Sequence, residues 1–240
     1  MGKNLKIFLG IFYLLILFSF LYFIFSAIEV NRLNDFSYYK EVQLDLAAFI
    51  STNIIINLFY FFIFAVIWVV LLGFGSPILI ISGILFGQIL GTLISVISIS
   101  FGALILYTIG NFFFRDFVKS ILQDKFEKYI KLFKKNEFFY FFVYRFIGGL
   151  GIPFGLQNLI PILFGMKKMN YFFSSFFGFI PGFFIINTIG SGLNYYISQA
   201  DNFSFIELIL TPEIYLPIIM FSILMILSLF IKKKFFGNAN

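Results

Sequence analysis

The sequence contains no cysteine and no histidine. The first absence removes disulfides, thiol nucleophiles and cysteine-ligated metals. The second removes Ser-His hydrolases and His-ligated zinc or haem. Charge is scarce too, at 12% of the 240 residues, against about 25% in soluble domains. From Leu46 to Phe114 there is no Asp, Glu, Lys or Arg at all. The segments suited to a bilayer therefore carry no acid, and an intramembrane aspartyl dyad is excluded. Enzyme chemistry loses its usual parts, and no cofactor or metal is expected.

What fills the space is apolar: 61% hydrophobic residues, 41 of them phenylalanine. The uncharged run far exceeds the ~20 residues that cross a membrane. The expected fold is an all-α polytopic membrane protein. Its net charge of +6 comes from bases clustered beside apolar runs, which is the positive-inside pattern and no sign of a nucleic-acid partner.

The first apolar run, 7–28, follows Lys3 and Lys6 and lacks a good cleavage site, so it reads as an uncleaved helix. The stretch "EVNRLNDFSYYKEVQLD" beyond it holds four acids and two bases, which makes 1–45 a helix plus an extracytoplasmic loop. Residues 115–137 hold seven Lys/Arg and four Asp/Glu, with Val118, Ile121, Leu122, Phe126, Tyr129 and Phe133 at helical spacing. That pattern predicts an amphipathic helix on the cytoplasmic surface. An odd number of crossings must then lie between Asp45 and Arg115. Three tight spans would satisfy it, and so would a re-entrant hairpin (46–88) followed by one span (91–112). In the second half, a hairpin (138–165) and a span (171–197) lead to the acidic loop, last span (214–231) and basic end of 198–240. Both termini come out cytoplasmic, and a bacterial inner (plasma) membrane is expected.

An internal repeat favours the hairpins. "SPILIISGILFG" (76–87) resembles "IPFGLQNLIPILFG" (152–165), and "ILYTIGN" (105–111) resembles "IINTIGS" (185–191). Two broken segments, each followed by a span, make an inverted repeat of the kind that places a transport site at the midplane. Gly75, Pro77, Gly148, Gly149, Gly151 and Pro153 are assigned to the hairpin tips. Gly83, Gly87, Gly91, Gly102, Gly178, Pro181 and Gly182 are assigned to helix packing, with Ser95, Ser98 and Ser174 on the same small-residue faces.

Arg145 stands just before the second tip, eight residues past Glu137, or ~12 Å along a helix. One reading makes it a snorkelling anchor. The other notes that no apolar segment offers it an acid, so its partner would be an anion from outside, such as a phosphate. The backbone of a half-helix starting at Phe154 and the amide of Asn158 would complete that headgroup site.

The ordered combination "RFIGGLGIPFGLQN…FG", "MKKMNYFFSSFFGFIPGFFIINTIG" and "GSPILIISGILFGQILG" resembles the VTT-domain proteins of the DedA superfamily, in particular the SNARE-associated Golgi protein branch. The likeness covers about residues 55–195. It implies two opposed re-entrant hairpins and movement of lipid between leaflets, with Arg145, Pro77, Pro153, Asn158, Gly178 and Pro181 at the family's motif positions. The acids that members with proposed proton coupling carry near the first hairpin are missing here, which argues against that coupling and leaves downhill movement in place. The expected function is a scramblase or flippase-like transporter of phospholipid or polyprenyl-phosphate, with anionic membrane lipids as partners and an unassigned oligomeric state. The alternatives are a non-transporting membrane assembly or homeostasis factor and an anion or small-solute transporter.

Overall fold

The computed structural model describes residues 3–26, 30–32, 35–72 and 75–236; among these it is helical, with no strand. Helix α1 is Lys3–Ser26, α2 Phe36–Thr52, α3 Ile54–Leu72, α4 Ser76–Lys135 and α5 Glu137–Phe146. A short 3-10 segment, Val30–Arg32, lies between α1 and α2; after a second one, Gly148–Gly151, come α6 Phe154–Leu159, α7 Pro161–Phe164, α8 Lys168–Gln199, α9 Phe205–Leu210 and α10 Pro212–Phe236. Among the described residues, four stretches are long and apolar enough to cross a bilayer: Phe8–Ser26, Ile54–Leu71, Ser76–Asp116 and Lys168–Gln199.

Helices α3, α4 and α8 hold the core, where Val69, Ile78, Ile99, Ala103, Tyr107 and Tyr171 are almost fully buried. Lipid tails are as apolar as these side chains, so close backbone contact has to supply the cohesion. A Cβ on Gly102 would lie 2.8 Å from Val69 Cβ. One on Gly83 would overlap the Asn187 carbonyl, and one on Gly190 would overlap the Ile80 carbonyl. Gly91 is equally tight, with Asn187 Oδ1 and the Ser82 carbonyl both 2.7 Å from such an atom. Gly87 and Gly182 differ from this assignment: an added Cβ would meet nothing within 4 Å at either. Gly87 is instead the point where α4 breaks, at φ 72 and ψ −176. Gly165, which closes α7, also has positive φ, at 55, so each "ILFG" ends in a conformation that glycine favours.

Three boundaries differ from the sequence reading. The polar stretch expected as a loop folds as α2, whose Asp35 cap accepts from the Ser37 N–H at 2.9 Å. The chain then breaks at Asn53, so the helix within the segment expected as the first hairpin starts at Ile54 and not at 46. Most plainly, the span 91–112 and the amphipathic stretch 115–137 are not separate elements, since α4 continues through both. No glycine or proline lies between Gly110 and Asn136, and helical hydrogen bonding does not register a change in hydropathy. The surface-lying helix is therefore replaced by an extension of the span. The side chains of Val118, Ile121, Leu122, Phe126 and Tyr129 lie outside the described residues, as do Gly73 and Phe74 before the first tip.

Candidate functional site

The second tip forms because glycine permits it. Gly148 and Gly149 have φ of 74 and 72, a region that residues with a Cβ avoid. Ile152 and Pro153 are extended, and α6 starts at Phe154. A turn this tight carries the chain back across the end of α5, and it brings Gln157 and Asn158 over Arg145. Gly149 lies directly under the Gln157 amide, where a Cβ would overlap it. The first tip is close by: a Cβ on Gly75 would sit 3.9 Å from the Phe154 ring.

Arg145 is 3% exposed, so its side chain does not snorkel to a surface. Its Nη1 donates to Gln157 Oε1 at 3.0 Å, and its Nη2 donates to Tyr171 Oη at 3.0 Å and to Asn158 Oδ1. Tyr171 Oη also donates to Asn158 Oδ1 at 3.2 Å. Four rings surround the guanidinium, with centroids at 4.7 Å (Phe179), 4.8 Å (Phe141), 5.5 Å (Phe154) and 5.7 Å (Tyr171). Each ring quadrupole attracts the cation. No acid pairs with Arg145 among the described residues. Within the cage the buried donors Arg145 Nε and Asn158 Nδ2 have no partner.

Neighbouring elements fix this cage. Gly178 lets α8 approach α5 at the level of Arg145, since a Cβ there would lie 3.0 Å from the Phe142 carbonyl. The Tyr171 ring stacks on Tyr107 at 4.5 Å and 11°, and Tyr107 Oη donates to the Met166 carbonyl at 2.7 Å. Span α4 is thereby tied to the turn after the second hairpin.

Of the residues chosen from sequence for the headgroup, Arg145, Phe154 and Asn158 come together. Phe154 contributes by its ring and not as expected, because the half-helix is split at Ile160 into pieces of six and four residues. So short a helix has little dipole. Gly148, Gly149, Gly151 and Pro153 make the turn, and Gly75 meets it from the first hairpin; Pro77 sits in the opening turn of α4. Gln157, Tyr171, Phe141 and Phe179 were not anticipated. Tyr171 had a signal, since it extends the Ser174–Gly178 stripe by one helical turn. The two phenylalanines had none among 41.

At the other end of α5, Glu137 is 6% exposed. Its Oε1 accepts from Asn170 Nδ2 at 2.7 Å and from the Lys167 N–H at 3.1 Å, and its Oε2 accepts from Lys134 Nζ at 3.2 Å. Burial pushes its carboxyl up, but these donors outweigh that and hold it below the ordinary value of 4.5.

The VTT domain family model matches residues 73–192, half of the chain. It spans both tips, Arg145 and its cage. The chain belongs to the VTT-domain family. Neither the curated proteins nor the solved structures provide a match. With its four long apolar helices, this VTT-domain protein is an integral membrane protein.

Proposed function

We propose that this VTT-domain protein moves phospho-lipids between leaflets as a scramblase or flippase-like transporter, with Arg145 receiving the phosphate. One observation carries the reading: a buried guanidinium with no counter-acid among the described residues, its own Nε and the neighbouring Asn158 Nδ2 unpartnered, where the two tips meet. An ionisable group inside a membrane is costly and is kept for a use. Here every protein partner is a neutral oxygen or a ring, so an anion would supply the missing charge. Opposed re-entrant hairpins are supported by reciprocal packing. Gly110 of the first "TIG" faces Leu159 and Ile162 of the second hairpin, while Gly190 of the second "TIG" faces Ile80 and Gly83 of the first. Basic clusters at 115–135 and 232–234 and the acids at 201–213 support cytoplasmic termini in a bacterial plasma membrane.

The test is dithionite quenching of fluorescent phosphatidylglycerol in liposomes holding the purified protein. Wild type should lose inner-leaflet fluorescence, and Arg145→Ala should lose it severalfold more slowly while eluting as a folded species. The closed cage favours one other reading, in which Arg145 only clamps the second tip. Equal rates in the two proteins would establish that reading, and rates matching empty liposomes would remove unassisted scrambling of this lipid.

A further inference from the structure

Outside the cage, α5 and α8 leave two cavities that share a wall. One, of about 450 Å3, is lined by Lys134, Lys135, Glu137, Phe138, Lys167 and Asn170. The other, of about 610 Å3, is apolar and lined by Phe138, Phe142, Phe146, Phe177, Ile180 and Pro181 among others. Phe138 belongs to both, so a basic crevice runs straight into an apolar groove.

We infer that this pair of cavities is a binding site for one anionic phospholipid of the leaflet on the lysine side, with its phosphate at Lys135 and Lys167 and an acyl chain along α5. Three features select that occupant. Glu137 engages Lys134, which also donates to the Gly165 carbonyl at 2.6 Å. Among the described residues, no acid pairs with Lys135 or Lys167, so the crevice keeps a net positive charge. From Phe138 to Phe146 the helix rises ~12 Å at 1.5 Å per residue. That is close to half of the ~30 Å hydrocarbon core, the depth of one leaflet. The groove wall is also exposed, with Phe146 at 40%, Phe177 at 47% and Ile180 at 42%, as a chain-binding face in lipid has to be. A soluble phosphate would leave this groove unused, and a peptide would have to enter hydrocarbon.

The site needs no transport to exist, so it is read by binding alone. Full-length protein in mild detergent is mixed with equal amounts of phosphatidylglycerol and phosphatidylcholine, and native mass spectrometry counts bound lipid. The expected result is one phosphatidylglycerol preferred about tenfold or more. A Lys135→Gln/Lys167→Gln variant should lose that preference, since each base near the surface adds to anionic-lipid affinity, and Ile180→Trp should lower binding of both lipids. On wild type, excess glycerophosphoglycerol, the headgroup without chains, should displace little lipid. Equal binding of the two lipids, an unchanged preference in the lysine variant, or displacement by the headgroup alone would each overturn the inference. Whether Arg145→Ala still scrambles is a separate readout and leaves this result untouched.

Discussion

Gly102→Ala tests whether direct backbone contact holds the helices that support the cage. Its new Cβ would stand 2.8 Å from Val69 Cβ, 3.1 Å from Val69 Cγ1 and 3.2 Å from the Val66 carbonyl. Carbon pairs prefer about 3.5–4.0 Å, so α3 and α4 must part by roughly 1 Å. Val69 cannot swing aside, because its Cβ is fixed to the backbone and its branched side chain is stiff in a helix. A gap of that size forfeits a quarter to a half of each neighbouring dispersion contact, and overpacking of this kind costs about 1–3 kcal/mol. Alanine's helix preference over glycine offsets about 1 kcal/mol of that. Gly182→Ala isolates the offset, because its Cβ would meet nothing within 4 Å. Between the two variants the packing cost alone remains, and at about 2–4 °C per kcal/mol it separates their melting temperatures by roughly 2–12 °C, Gly102→Ala being the lower. Fluorescence-detected size exclusion after heating in mild detergent reads it. Equal melting of the two would refute close packing at Gly102.

The cage and the far end of α5 give three further expectations. Asn158→Asp places a carboxylate beside Arg145 and neutralises it internally, so the fold should be kept and scrambling of phosphatidylglycerol lost; full activity would show that the positive charge is not used. Gly148→Ala and Gly149→Ala both strain a positive φ, at a cost of about 1–3 kcal/mol, but only the second drives into Gln157. Both variants should lose stability, Gly149→Ala the more because of that clash, with a change in transport confined to Gly149→Ala, and matched transport rates would remove Gln157 from the mechanism. Glu137 has a folded-state value below 4.5, so its contribution to stability is complete above that pH and is lost as pH falls through the lower folded-state value. Wild type should melt alike at pH 7 and 5 and then drop toward pH 3, and Glu137→Gln should flatten that drop; an equal drop in both would assign the acid sensitivity elsewhere.

The break before the second hairpin could be read from sequence because its cause is local. Two adjacent glycines, then Gly151 and Pro153, leave a helix nowhere to continue, and the structure turns there. The oddity of Arg145 was equally local, an arginine in an apolar run without an acid in reach. The contents of its cage were not legible. Phe141, Phe154, Tyr171 and Phe179 come from three helices, and aromatic residues are 23% of this chain, so aromatic spacing carries no information. Gln157 was overshadowed by Asn158, although the fork of a guanidinium takes two acceptors as readily as one. The extent of α4 was missed for another reason. The shift from apolar to charged at Arg115 marks where a helix leaves hydrocarbon, and nothing in it stops the helix.

An arginine buried among neutral oxygens and rings poses a conflict that the cage itself resolves. Removing a guanidinium from water is expensive, and a salt bridge is the usual compensation. Here three uncharged acceptors and four ring faces compensate in part, and none of them cancels the charge. A carboxylate in that place would hold the guanidinium permanently and close it to anions. Amide oxygens hold it well enough to keep it ordered, yet a phosphate oxygen, carrying real charge, forms the stronger bond. On the proposed lipid-moving reading, an incoming headgroup would take the place of Gln157 or Asn158. Their hairpin is joined to α5 by two positive-φ glycines and has only the short α6 and α7 to move. The same neutral partners that close the resting cage are, on that reading, what would let it exchange, and the absence of acids in the apolar segments would leave the phosphate no internal competitor.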